Sequence, residues 1–274
     1  MPFCMQQLKV PCTAIALLCL IMSSTPFATA DGRCTVDLFE QDYSVDVTLL
    51  DSKIEVPTSG GRITAAAAGS TGQRYQQLMI REFRIYPRAF LKASQLKRII
   101  VCSRLAFNGQ LRAAIPDFAR NTLYLDDSRG SRSRSYQRAV IHHEFFHIVD
   151  YQDDGIVYDD VHWKTLNPED FEYGEGGSRL QEDSSQSGFR NPTNGFLTKY
   201  SLAGVEEDKA ELFAHLIVSQ KIVASAVESD ALLDQKVSML KALTRRFCAE
   251  LDESFWAKVA SRQACFTRNH PDDR

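Results

Sequence analysis

Apolar and polar positions alternate along "YSVDVTLL", residues 43 to 50, which predicts a strand with one buried face. In "TGQRYQQLMIREFRIY", residues 71 to 86, the apolar side chains recur at helical spacing and stop before Pro87, so a helix is predicted there. "LKRIIVCSRL" (96 to 105) and "NTLYLD" (121 to 126) are short β-branched or aromatic runs bounded by turn residues. They predict two strands, with an Asn108-Gly109 turn between them. A small sheet therefore precedes "AVIHHEFFHIVD", residues 139 to 150. There Ile141, Phe145 and Ile148 make one apolar helical face, while Val140, Phe146 and Val149 flank the histidines. Such a helix is buried nearly all round. The polar stretch "DDSRGSRSRS" (126 to 135) ahead of it reads as a loop, and Ser133 or Ser135 is placed to cap the helix.

Residues 152 to 199 lose all periodicity and carry Gly155, Pro168, Gly174, Gly176, Gly177, Pro192 and Gly195. Loops of this length commonly serve as lids or binding loops. From Val205 the helical period returns in "EEDKAELFAHLIVSQKIVASAV" and in two amphipathic stretches, 230 to 250 and 252 to 265. The pattern predicts an α+β protein: a small twisted sheet plus one buried helix (31 to 151), a long insertion (152 to 199) and a helical C-terminal lobe (200 to 274).

The first thirty residues differ. Lys9 precedes an apolar run from Thr13 to Met22, and Ala28-Thr29-Ala30 follow, the arrangement of a secretory signal peptide. The run is far shorter than the roughly 20 apolar residues of a membrane helix, and no later stretch approaches that length. Lipid anchoring through Cys19 is the rival reading, but Ala16-Leu17-Leu18 lack the small residue wanted directly before an anchored cysteine. The expectation is an exported chain, secreted or periplasmic, starting near Asp31 and without stable membrane insertion. Four cysteines would then remain, Cys34, Cys102, Cys248 and Cys265, and an oxidising compartment would join them in two disulfides. Three connectivities are open. Cys34 with Cys102 and Cys248 with Cys265 is favoured, since the second pair would staple two consecutive helices.

A net charge of −3 gives no reason to expect nucleic acid as a partner. The charge is uneven, however: residues 153 to 183 carry ten acids against Lys164 and Arg179. This segment is a lid favouring basic substrates, a calcium site without the EF-hand pattern, or a solvated loop.

The buried helix carries the chemistry. Residues i and i+4 share a helix face, so His143 and His147 can direct their imidazoles at one ion, and zinc accepts that pair. Glu144 can reach a water beside such an ion rather than the ion itself, the place of a general base in the His-Glu-x-x-His arrangement. The competing reading is an ordinary core helix, but histidines and a glutamate are costly to bury unless something satisfies them. His142 lies five positions from His147 and reads as a structural or supporting residue.

A catalytic zinc site needs a third protein ligand. Asp153, six residues after His147, is one candidate, but Asp150 stands where a glycine would let the chain turn back. Glu207 and Glu211 are the better pair. They are i and i+4 on a predicted helix, so one can bind the ion while the other holds the free ring nitrogen of a bound histidine. The plain alternative is a pair of surface glutamates facing Lys209 or solvent.

His143-Glu144-x-x-His147 followed by the helical Glu-x-x-Ala-Glu of "EDKAE" (207 to 211) resembles the gluzincin branch of zinc metallopeptidases. It is most similar to the lethal-factor-like toxins and related uncharacterised bacterial zinc peptidases, as is "WKTLNPEDFEYG" (163 to 174). In lethal factor a catalytic tyrosine lies seven residues before the zinc glutamate, and Tyr200 lies seven before Glu207. The resemblance runs from about Leu96 to Ile217. It implies a zincin-like fold with one zinc per chain, held by His143, His147 and Glu207, with Glu211 behind a ligand. It further implies Glu144 as base, Tyr200 as hydrogen-bond donor to the oxyanion, and "NTLYLD" as the edge strand along which an extended protein or peptide substrate lies. The expected function is a secreted zinc metalloendopeptidase. The alternative is a non-catalytic secreted zinc-binding protein that retains the fold, which would have no need of Glu144.

Overall fold

The computed structural model describes residues 32–129, 133–174, 176 and 193–269, so the expected signal peptide and residues 177–192 of the insertion lie outside it. The molecule is α+β, and its hub is the strand β4 (Arg98–Phe107). On one side β4 pairs in parallel with β1 (Asp46–Leu49), and on the other in parallel with β7 (Thr122–Asp126). Its second half turns to antiparallel partners: β3 (Gly61–Ala66), which forms a hairpin with β2 (Ile54–Thr58), and the two-residue β5 (Gln110–Leu111). The β4–β5 turn is Asn108-Gly109, with φ of 49° and 83°, the two positive values that a two-residue hairpin requires.

Being central, β4 is buried on both faces, which is why Ile99-Ile100-Val101-Cys102 is a continuous apolar run rather than an alternating one. Ile99, Val101, Leu123 and Leu125 face the main core. Ile100, Cys102 and Tyr124 face a smaller one, with Ile63, Ala65, Leu105 and Ile115.

The helices gather on the main-core side. α1 (Gly32–Tyr43), α2 (Gly72–Phe83) and α3 (Arg88–Ala93) precede β4, and α4 (Arg134–Asp154) follows β7. Ser133 caps α4 by accepting from the Tyr136 N–H at 3.2 Å, and Gly155 closes the helix with φ of 80°. After the short α5 (Val161–Lys164) come α6 (Val205–Val218), α7 (Gln220–Val227), α8 (Ala231–Phe247) and α9 (Glu253–Asn269).

Four expectations need correction. "NTLYLD" is not an edge strand, because β6 (Ala114–Asp117) pairs antiparallel outside it and takes the edge. The segment predicted as one helix beyond Val205 is two, α6 and α7, bent by 116° at Ser219. Neither expected disulfide exists: Cys102 and Cys248 are both free, buried thiols. Cys102 belongs to the smaller core, whereas Val36 and Phe39 of α1, the helix that carries Cys34, pack in the main core across the sheet. Cys248 packs in the main core instead, and the side chains of Cys34 and Cys265 lie outside the described residues. Among the described residues no single helix is long and apolar enough to cross a membrane.

Candidate metal centre

α4 and α6 pack side by side, and the site lies between them. α6 starts at Gly204, and its first turn carries Glu206, Glu207 and Asp208, where acidic side chains suit the helix N-terminus. The helix is pinned by buried charges. Asp208 accepts from Lys236 Nζ (2.7 Å), Trp163 Nε1 (2.8 Å) and the Tyr173 hydroxyl (2.8 Å), while Lys209 Nζ donates to Asp150 at 2.7 Å. Trp163 and Tyr173 belong to the insertion, so its described part is clamped onto α6 and α8.

This packing brings His143, His147 and Glu207 together. His143 Nε2 lies 2.9 Å from Glu207 Oε2 and 3.2 Å from His147 Nε2, and His147 Nε2 lies 3.5 Å from the same carboxylate oxygen. A tetrahedral zinc ion with bonds of about 2.0–2.1 Å keeps its ligand atoms about 3.3–3.4 Å apart. The triangle is one face of such a tetrahedron to within a few tenths of an ångström. The donor set also fits: two imidazole nitrogens and one carboxylate are an ordinary zinc complement, and the three residues could hold a metal ion.

Around the triangle, His143 Nδ1 meets Glu211 Oε1 at 3.0 Å. Glu211 is in turn held through Oε2 by the Thr198 hydroxyl at 2.8 Å, with His215 Nε2 at 3.7 Å. His143 is thereby fixed with Nε2 toward the triangle. His147 is not: its Nδ1 is buried with no hydrogen-bond partner among the described residues. The Tyr200 hydroxyl donates to Glu207 Oε1 at 3.1 Å.

Burial opposes the Glu207 charge, but hydrogen bonds from His143 and His147 prevail and hold its carboxyl at about 2. Glu211 is also held low, by His143 and His215 against its burial. His143 is pushed well above its ordinary value, the two glutamates outweighing the burial that would lower it. The pocket therefore favours positive charge.

Glu144 is half-buried beside this group, and its carboxyl makes no hydrogen bond or ion pair with another described residue. Burial raises its pKa, with the nearby histidines pulling the other way. His142 points elsewhere: fully buried, it shares Nδ1 with the Tyr86 hydroxyl at 2.6 Å and Nε2 with Glu82 at 3.1 Å. Asp153 is not part of the site; it pairs with Arg246 at 2.8 Å. Glu82 and Thr198 were missed because their contacts cross between elements that share no motif, whereas His215, four residues after Glu211 on α6, stood at a helical spacing that could have marked it.

A family model described as "Putative zinc-binding metallo-peptidase" matches residues 115–248. A solved structure of a protein from Bacteroides caccae, described as a putative zinc-binding metallo-peptidase, resembles the fold with a TM-score of 0.53 and 17% identity. The alignment covers 86% of this chain and 94% of that one. No curated protein matches.

Proposed function

We propose that this chain is a zinc-dependent metalloendopeptidase of the gluzincin type, holding one zinc ion per chain on His143, His147 and Glu207. The observation that carries the reading is the triangle of ligand atoms at 2.9, 3.2 and 3.5 Å with an unengaged carboxyl, Glu144, directly beside it. A purely structural site has no use for that carboxyl. When bound, zinc supplies Lewis acidity that polarises a carbonyl and makes a water acidic. Glu144 takes the proton from the attacking water and returns it to the leaving amine; the burial that raises its pKa makes it a better base. Glu211 keeps the His143 ring in its working tautomer. Tyr200, whose hydroxyl donates to the ligand Glu207, would turn that hydroxyl toward the developing oxyanion. An extended peptide would pair along the free side of β6, the strand at the edge. Export rests on the N-terminal pattern alone, since the disulfide argument for an oxidising compartment fails at Cys102 and Cys248.

The test is cleavage of a diverse peptide library read by mass spectrometry, with a chelator-treated sample, the same sample after zinc is restored, and Glu144→Gln. Cleavage should vanish with the chelator, return with zinc, and fall by about 10²- to 10⁴-fold in a Glu144→Gln chain that keeps its zinc. Full activity in that variant would remove Glu144 from the mechanism. A folded, zinc-loaded chain that cleaves nothing would favour the non-catalytic zinc-binding reading.

A further inference from the structure

Lys236 of α8 has no place in the reaction described above, yet its side chain is fully buried. Its ammonium donates to Asp208 Oδ2 at 2.7 Å, and Asp208 is buried as well. A buried lysine–aspartate pair adds little to stability, because removing two charges from water offsets most of their attraction; its best-attested use is to hold one packing register against others. Here the register is that of a ligand. Asp208 directly follows Glu207 in the first turn of α6. Successive residues of a helix point about 100° apart, so fixing Asp208 fixes the direction in which Glu207 leaves the helix.

The same ammonium lies 3.7 Å from the centre of the Phe196 ring and 5.8 Å from that of Trp163, both within reach of a cation–π contact. α8 also grips the residue before Phe196: the Gly195 N–H donates at 2.6 Å to Asp230, the residue that caps α8. From this anchored point the chain runs directly to the metal centre. The Thr198 hydroxyl accepts from the Ser201 N–H at 3.1 Å and donates to Glu211, which holds His143, while the Tyr200 hydroxyl donates to Glu207. Two routes to the ligands therefore begin at Lys236, one through Asp208 into α6 and one through Phe196 into the segment ending at Tyr200.

We propose that Lys236 is a positioning residue of the metal centre. Through Asp208 it sets the rotation of the first turn of α6, and through Phe196 it seats Thr198 and Tyr200 against Glu211 and Glu207. The inference rests on the zinc reading and extends it to a residue on a helix that supplies no ligand.

The experiment compares the full wild-type chain with Lys236→Met and with the double variant Asp208→Asn/Lys236→Met, which removes both charges and leaves an amide oxygen for Trp163 and Tyr173. Each is followed by denaturant unfolding, by zinc competition with a chromophoric chelator, and by the d–d absorption spectrum after cobalt(II) replaces zinc. That spectrum reports ligand geometry, which a loss of overall stability alone would not move. The double variant should unfold cooperatively at near wild-type stability. It should nevertheless bind zinc about 10-fold more weakly and show a shifted cobalt spectrum. A folded double variant with wild-type affinity and spectrum would reduce the pair to packing and overturn the proposal. Should neither charge variant fold, Phe196→Leu decides: it keeps both charges and loses only the ring beside the ammonium. It should weaken zinc binding about 3-fold and shift the spectrum, and no change in either overturns the proposal. If the wild-type chain binds no metal, the zinc reading itself falls and this role with it.

Discussion

His142 and His143 are neighbours on α4, and each meets a glutamate from another helix. His142 faces the C-terminal end of α2, where its ring nitrogens are taken by Glu82 of the helix and by Tyr86 just beyond it, and Glu82 also meets Arg138 at 3.1 Å and Arg262 at 3.2 Å. Burial lowers the pKa of His142, so it is a neutral imidazole between one donor and one acceptor. His143 faces α6, where its Nε2 points at another imidazole nitrogen and a carboxylate oxygen. Two such nitrogens and a carboxylate cannot satisfy one another with a single shared proton. The first interface is complete as protein; the second, on the function proposed here, is completed by the zinc ion. The difference lies in which atoms converge, since both interfaces are buried and both use histidine and glutamate.

Substitutions on the two sides should therefore fail in different ways. The largest effect is expected from His143→Ala, which should abolish stoichiometric zinc binding by metal analysis and lower cleavage more than about 10³-fold, while the metal-free chain still unfolds cooperatively. Glu82→Gln should do the reverse. Losing the buried partner of Arg138 costs on the order of 3 kcal/mol in denaturant-measured stability, with zinc still bound by the folded fraction.

The same substitution should alter the acid limb of the stability curve. Burial would raise the Glu82 carboxyl, but the hydrogen bond from His142 and the guanidinium groups of Arg138 and Arg262 hold it at about 2, against an ordinary 4.5. A depressed carboxylate stabilises above its unfolded pKa, and the contribution is lost as pH falls from there toward about 2. Glu82→Gln should flatten the curve in that window; an unchanged acid limb would take Glu82 out of this role. The smallest of the three effects is expected from Glu211→Gln, which disturbs His143 from behind and should weaken zinc binding by about 10- to 100-fold by competition with a chromophoric chelator. Unaltered affinity would mean that α4 alone orients the ring.

How much of this could be read from the residues follows the same divide. The sites on α4 and α6 show in the sequence because helical geometry turns spacing into proximity: His143 with His147, and Glu207 with Glu211, are each one turn apart. His142 showed only as a break in that spacing. Its partner Glu82 lies sixty positions upstream, and nothing local marks it. The hub strand was legible from its apolar run, but β6 was not, being four residues long and containing Pro116. The edge position of "NTLYLD" was carried over from the family resemblance, and no local pattern marked β6 as the strand that covers it. The disulfide expectation failed because a count of cysteines carries no information about the face of the sheet on which each side chain falls.

The central claim is that His143, His147 and Glu207 close around a zinc ion. Zinc-edge X-ray absorption of the reconstituted full chain tests it most directly. The account predicts one zinc per chain with only nitrogen and oxygen neighbours at about 2.0–2.1 Å and a clear imidazole signature that weakens in His147→Ala. Sulfur ligation at about 2.3 Å, or a signature unchanged by His147→Ala, would place the metal elsewhere and contradict it.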